Sequence, residues 1–266
     1  MTAVKRIYPL VACGSILFAV VAVVIGQLGP DSALDPVNAT VSEYAVSDRG
    51  GVTGVAMAVL GVGSLALLAG LRAAGAPVRG MPERLLMVWS GALVVAALIP
   101  TTPFGADLDL AAQIHRYVSI AAFVSLPAAG ALMVSRLASD VAWKPVARVV
   151  EWVALAGGFG LLAITYVALP GDRVMIGLVE RLLLGSEVAL LAVLAGWLVL
   201  LTWRRGPVES AVRRQSEAWH PRGAAAQAAA QAAAQAAAQA AAQAAAQAAA
   251  QAAAQAAAQE VVRTAA

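Results

Sequence analysis

Six long apolar stretches divide this chain, and they constrain its fold more than any other feature. They lie at about residues 7–28, 51–73, 85–101, 114–136, 149–170 and 177–203. A helix of about 20 residues crosses a bilayer core of about 30 Å. The stretches are continuous, and this favours spanning helices over the alternating strands of a membrane β-barrel. We therefore predict an all-α fold, a six-helix transmembrane bundle formed by residues 1–203.

The composition agrees with a membrane location. Of the 266 residues, 61% are hydrophobic and 12% are charged, whereas soluble domains average about 25% charged residues. The first stretch follows Lys5 and Arg6, as the core of a signal peptide would. It is longer than such a core, and the segment GQLGPDSALDP after it is a poor small-residue cleavage site, so we interpret it as a retained span.

The basic residues predict the orientation of the bundle. With the N-terminus inside, 14 of the 18 Lys and Arg residues fall on the cytoplasmic side. This asymmetry places both termini in the cytoplasm (N-in/C-in), since positive charge is retained there. The Ala-, Val- and Arg-rich composition is typical of a high-GC bacterium, so we predict the bacterial plasma membrane. The basic residues border helix ends, where they contact membrane lipid, and we expect no nucleic-acid partner.

The chain after the last span has a different character. Residues 204–223 form a basic linker, and residues 224–266 form a low-complexity tail in which AAAQ repeats nine times between 224 and 259. Ala and Gln both favour helix, so the repeats predict a helix of about 54 Å. The glutamines wind around this helix and do not mark one face. The tail is then a spacer, a repeat expansion or an artificial extension; the alternative is a helical rod that docks a partner.

Polar residues collect at the outer ends of the predicted spans. We predict that they form one outer-face cluster, covered by the segment VSEYAVSDRG (41–50) as an ordered lid. Buried charges must pair, and the available cations are arginines of the cluster. The predicted members are Ser42, Glu43, Tyr44, Asp48, Arg49, His115, Arg116, Arg181 and Glu187.

Two of these residues suggest chemistry. Glu187 lies within the sixth span, where an ionisable residue is a functional hypothesis by default. The alternative is a structural role, either neutral or paired with an arginine such as Arg116. His115 is a weak catalytic candidate as a general base; the alternative is an interfacial hydrogen-bonding histidine.

The sequence predicts no metal site and no cofactor. Cys13 is the single cysteine, and the second histidine, His220, follows the last span. One histidine with carboxylates is an unusual zinc ligand set. The chain also lacks a P-loop, a dinucleotide-binding fingerprint and a nucleophile elbow.

Three segments resemble a known family. NATVSEYAVSDRGG before the second span, IPTTPFGADLDLAAQIHRYVS entering the fourth and GLVERLLLGSEVALLA in the sixth are similar to the bacterial and archaeal six-span family catalogued as domain of unknown function 998. The resemblance covers about residues 7–203 and implies the same six-span fold. It matches Ser42 and Tyr44 to the family's serine–tyrosine motif and His115 to its histidine. The chain departs at the proline–threonine–aspartate run, where it has Pro100, Thr101, Thr102 and Pro103.

Three functions are compatible with these observations. The favoured one is a non-catalytic accessory or scaffold protein of envelope lipid biology or of a larger membrane complex. It would contact other membrane subunits through the glycine-rich spans or the C-terminal helix. The alternatives are a small proton-coupled transporter that uses Glu187 and a lipid-modifying membrane enzyme that uses His115.

Overall fold

The computed structural model describes residues 4–27, 35–47, 51–99 and 109–219, together with tail residues 231–233, 235–236, 239 and 243. The chain divides into two compact units, Met1–Gly206 and Pro207–Ala266. In the second unit the described tail residues are helical and exposed, and the remaining AAAQ repeats lie outside the described residues.

Within the described residues the regular structure is entirely helical. The helices are α1 (Val4–Gln27), α2 (Val41–Ser47), α3 (Val52–Ala73), α4 (Met81–Leu98), α5 (Leu110–Ser139), α6 (Lys144–Ala168) and α7 (Ile176–Trp219). Every helix except α2 is long and apolar enough to span a membrane. In α7 the spanning part is Ile176–Trp203. The predicted six-helix transmembrane fold is therefore confirmed.

Helices α4, α5 and α6 begin four or five residues earlier than their apolar stretches predict. Helix α5 begins at Leu110 because Asp109 caps it; the Asp109 side chain accepts a hydrogen bond from the Ala112 amide at 2.7 Å. Such a cap supplies a partner for an otherwise free amide of the first turn. Helix α4 begins at Met81 with Pro82 in its first turn, where proline suits a helix. Caps and turn residues, which hydropathy does not detect, set these boundaries.

The first loop contains a short helix that hydropathy also misses. Thr40 and Glu43 form a reciprocal cap: the Thr40 amide donates to Glu43 Oε2 at 2.6 Å, and the Glu43 amide donates to Thr40 Oγ1 at 3.2 Å. This is the capping box that a Thr-x-x-Glu sequence predicts. The segment that we described only as a lid is thus helical over Val41–Ser47.

Glycines set the spacing between the spanning helices. A Cβ atom at Gly63 of α3 would lie 2.5 Å or less from the Ser15 side chain of α1, and one at Gly157 of α6 would lie 3.0 Å from Pro127 of α5. Small residues allow such close approach in lipid. By contrast, a Cβ at Gly158 would meet nothing within 4 Å. Gly63 and Gly157 therefore pack inside the bundle, and Gly158 borders open space.

The two ends of the bundle differ in charge. One end, here called the α2 end, holds α2 and the first residues of α3, α5 and α7. The opposite end holds the loops after α3 and α5, where Arg72 pairs with Glu83 and Arg136 donates to the carbonyl of Arg79. Lys144 and Arg148 begin α6 at this same opposite end. Basic residues thus concentrate at the end that the sequence predicts to be cytoplasmic.

Candidate functional site

The guanidinium of Arg181 ties the first loop to α7. Its Nε donates to Gln27 Oε1 at 3.0 Å, and its Nη1 lies 2.8 Å from the carbonyl oxygens of both Pro36 and Ala39. Nη1 also lies 2.9 Å from the carbonyl oxygen of Gly177 on α7 itself. One side chain therefore joins the end of α1, the loop before α2 and the beginning of α7.

The aromatic ring of Tyr44 covers this guanidinium. The Arg181 Cζ atom lies 5.1 Å from the centre of the ring, within the range of a cation–π interaction. Tyr44 is 5% exposed, so its ring shields the charged group from solvent. The arrangement explains why the only tyrosine of the short helix α2 faces inward.

Two carboxylates, Glu180 of α7 and Glu43 of α2 itself, join α2 to the beginning of α7 and the turn before it. Glu180 Oε2 accepts a hydrogen bond from the Val41 amide, the first of α2, at 2.7 Å. Glu43 Oε1 pairs with Arg173 Nη2 at 2.8 Å. Because the Glu43 carboxylate caps its own helix with its other oxygen, this side chain serves both the local fold and the contact to the turn before α7.

The backbone of the first loop also packs directly on the beginning of α7. The Leu178 amide donates to the Val37 carbonyl at 3.0 Å, and the Met175 amide donates to Asn38 Oδ1 at 2.9 Å. A Cβ atom at Gly177 would lie 2.2 Å from the Ala39 carbonyl oxygen. Only glycine permits this approach. Through these contacts residues 35–47 form an ordered cover over the beginning of α7, and from here on the lid means residues 35–47.

A cavity of about 480 Å³ lies under the lid, away from its contacts with α7. Its walls come from α2, the beginning of α3, the end of α4 and the beginning of α5, and most of its side chains are small and apolar. The lining residues are Ser42, Ala45, Gly51, Gly54, Val55, Met57, Ala58, Ala96, Ala97, Leu98, Ile99 and His115. Gly51 has a φ of 62°, a left-handed conformation that favours glycine at the turn into α3.

His115 is fixed at the edge of this cavity. Its Nδ1 lies 2.8 Å from the carbonyl oxygen of Ile99, and the residue is 7% exposed. A carbonyl oxygen only accepts, so Nδ1 carries the proton of that hydrogen bond. The other ring nitrogen, Nε2, is buried without a hydrogen-bond partner among the described residues.

Glu187 lies deeper in the bundle. The residue is 1% exposed, and neither of its carboxyl oxygens has a hydrogen-bond partner within the part of the chain that the structure describes. Its neighbours along the buried face of α7 are the fully buried side chains of Leu183, Leu190, Leu191 and Leu194. Glu187 is therefore the one ionisable residue on the buried, otherwise aliphatic face of α7 between Leu183 and Leu194.

A family model matches residues 12–198, and its description is protein of unknown function (DUF998). The chain belongs to this family. No curated protein and no solved structure matches the chain. The match covers all six spans in whole or in part, so the lid and the cavity of this DUF998 protein lie within the matched region.

In this DUF998 protein the residues of the predicted cluster lie in separate groups and not in one. Ser42 and His115 share the cavity, whereas Glu43, Tyr44 and Arg181 belong to the contact between the lid and α7. Arg116 is exposed on α5, and Glu187 is buried farther along α7 with no arginine partner among the residues that the structure describes. Asp48 and Arg49 lie outside the described residues.

Two residues of the lid contact were absent from the predicted cluster. Arg173 and Glu180 bind the lid from the turn before α7 and from its first residues. The sequence offered a weak sign of Glu180, because it lies seven residues before Glu187 and therefore on the same helical face. In the described chain no three His, Cys, Asp or Glu side chains come close enough to hold a metal ion.

Proposed function

We propose that this DUF998 protein is a non-catalytic accessory protein of membrane lipid biology that holds part of a lipid in the cavity under its lid. The cavity carries the proposal. Its volume of about 480 Å³ falls within the range of ligand pockets. Its small apolar walls suit the glycerol and upper acyl region of a lipid, and the Ser42 hydroxyl supplies a polar contact.

The position of the cavity supports a lipid over a water-soluble ligand. It lies where α3 and α5 begin and α4 ends, which is the depth at which lipid headgroups meet acyl chains. Among the described lining residues there is no Lys, Arg, Asp or Glu, so the cavity favours the neutral part of a lipid. A charged headgroup would remain at the rim, within reach of water.

Filling the cavity tests the proposal. Ala58→Phe places a ring in the cavity from α3, while Val62→Phe, one turn along the same helix, changes an exposed side chain that does not line it. We expect wild-type protein and Val62→Phe to retain bound lipid in native mass spectrometry after purification in mild detergent. Ala58→Phe should lose it. Equal lipid retention in all three proteins would refute lipid binding in this cavity.

A lipid-modifying enzyme is the second candidate, favoured by the shared placement of Ser42 and His115 on one cavity. With a proton of His115 held on Nδ1 by the Ile99 carbonyl, Nε2 is the ring nitrogen that would act as a general base. Incubation with membrane lipid extract distinguishes the two functions. The enzyme would generate a new lipid product that His115→Ala abolishes in a folded protein, whereas the accessory protein returns its lipid unchanged.

We also propose that the protein lies in the bacterial plasma membrane with both termini in the cytoplasm. The concentration of basic residues at the end opposite α2 supports it. In a Cys13→Ala background, Arg79→Cys and Asp172→Cys should react with an impermeant thiol reagent from opposite sides of the membrane. Partner subunits would approach through open glycines such as Gly158 or through the C-terminal tail, and co-purification from the native membrane tests this.

A further inference from the structure

The turn of α7 that carries Glu187 packs at a junction of three helices. A Cβ atom at Gly157 of α6 would lie 3.0 Å from Pro127 Cγ of α5 and 3.4 Å from Ser186 Oγ of α7. One turn farther along α7, Leu190 contacts the position of Gly130 on α5, where a Cβ would lie 2.8 Å from it. The carboxyl group of Glu187 thus belongs to a tightly packed part of the bundle, with both oxygens buried and unpartnered among the described residues.

The surrounding helices supply no countercharge at this level. The middles of α3, α4, α5 and α6 contain no ionisable side chain, from residues 52–71, 85–98, 118–135 and 152–165 respectively. Helix α1 contains Lys5, Arg6, Tyr8 and Cys13, whereas α7 has Glu180 and Arg181 before Glu187 and no further ionisable residue until Arg204. Arg181 donates through Nε and Nη1 to Gln27 and to carbonyl groups of the lid and of Gly177, and its Nη2 has no hydrogen-bond partner among the described residues, Glu187 included.

An unpaired carboxylate in such a place is very costly, because its charge is removed from water without compensation. A bound proton removes the charge. A hard metal cation would instead require about six oxygen ligands, and the described residues offer no group of three acidic or metal-binding side chains. The packing around Glu187 therefore suits a proton and not a metal ion.

Glu180 is the next carboxyl group toward the α2 end. It lies seven residues before Glu187 on the same face of α7, about 10.5 Å along the helix axis. Its Oε2 accepts the Val41 amide of the lid, and beyond it Glu43 and Arg173 form a partly exposed pair. Carboxyl groups thus lead from the surface at the α2 end to Glu187.

We infer that Glu187 is a proton-binding site in the membrane interior that exchanges its proton with the α2 end by way of Glu180. The proton comes from water at that end and binds a carboxyl oxygen of Glu180. Because about 10.5 Å of helix separates the two glutamates, more than one hydrogen bond can span, water molecules that enter transiently carry the proton from Glu180 to an oxygen of Glu187, and the return follows the same route. Glu187 does not line the cavity under the lid, so this site is independent of the proposed lipid function. It is the site that a proton-coupled carrier would need.

Infrared spectroscopy of the full-length protein in lipid tests the first half of the inference. Wild-type protein at neutral pH should show a carboxylic-acid C=O band that Glu187→Gln, a substitution of nearly equal shape, removes. Glu151→Gln is the matched control, because Glu151 forms an exposed pair with Arg148 and contributes no such band. A difference spectrum in which Glu187→Gln removes only a carboxylate band would overturn the inference.

Deuterium exchange tests the route. After transfer to D₂O the C=O band should shift, and Glu180→Gln should slow this shift several-fold while Glu83→Gln, on the opposite end, leaves it unchanged. An equal exchange rate in Glu180→Gln and wild-type protein would eliminate Glu180 as the relay. Addition of sodium ions at constant pH should leave the band in place; its conversion to a carboxylate band would indicate a metal site instead.

Discussion

Removal of the Arg181 guanidinium should release the lid. Arg181→Met retains most of the aliphatic stem but removes all N–H donors. In the structure Nε and Nη1 together carry three N–H groups, which are shared among Gln27 Oε1 and three backbone carbonyls. A net contribution of about 1.5 kcal/mol for each donor gives about 4.5 kcal/mol. Arg181 is half-buried and water replaces part of these bonds once the lid opens, so we expect a loss of about 3 kcal/mol.

Hydrogen–deuterium exchange measures this loss directly. Since 1.4 kcal/mol corresponds to a factor of ten, the amides of residues 35–47 should exchange about a hundredfold faster in Arg181→Met, relative to the amides of α3 in the same protein. Arg181→Lys keeps the charge but loses the planar fork and should give an intermediate rate. Arg148→Met, at the opposite end of the bundle, is the control. A change below about threefold in the lid of Arg181→Met would show that Arg181 is not its anchor.

Three further outcomes are expected. Gly177→Ala should loosen the lid by about 1–3 kcal/mol, because its Cβ would lie 2.2 Å from a lid carbonyl oxygen. Gly158→Ala is the control: a Cβ at Gly158 would meet open space, so lid exchange should stay unchanged. Equal effects of the two substitutions would contradict the close approach at Gly177. Glu43→Gln keeps the capping box but loses the partly exposed pair with Arg173, so lid exchange should rise by the equivalent of about 0.5–1 kcal/mol; a hundredfold rise would mean that this pair, and not the guanidinium, is the main anchor. Deletion of residues 224–266 should leave membrane insertion, measured by resistance to carbonate extraction, at the wild-type level, and loss of insertion would contradict a spacer role for the tail.

The sequence was most informative about the spanning helices. Their apolar runs predict helices by length and composition alone, and all six occur. The boundaries were less predictable. Asp109 extends α5 by capping it, and Thr40 with Glu43 forms a helix inside a loop, because a cap depends on two or three residues whose polarity hydropathy assigns to the loop.

The candidate site was predictable only in part. The polarity of Ser42, Tyr44, His115 and Arg181 marked one end of the bundle, and the structure places all four there. Their grouping was not predictable. The partner of Glu43 is Arg173, 130 residues away in the chain, and no local pattern relates a carboxylate in one loop to an arginine in another.

The sequence by itself determined that this chain occupies a membrane as six helices, because aliphatic runs of sufficient length require only lipid around them and hydrogen bonds within each helix. It also determined the asymmetry of positive charge between the two ends. The tertiary structure alone decided which polar groups meet. Glu180 reaches the Val41 amide 139 residues away, and Glu187 meets no partner in the described chain, because the rotation and depth of α7 depend on close contacts at glycines of other helices. Those contacts arise only when the helices pack together.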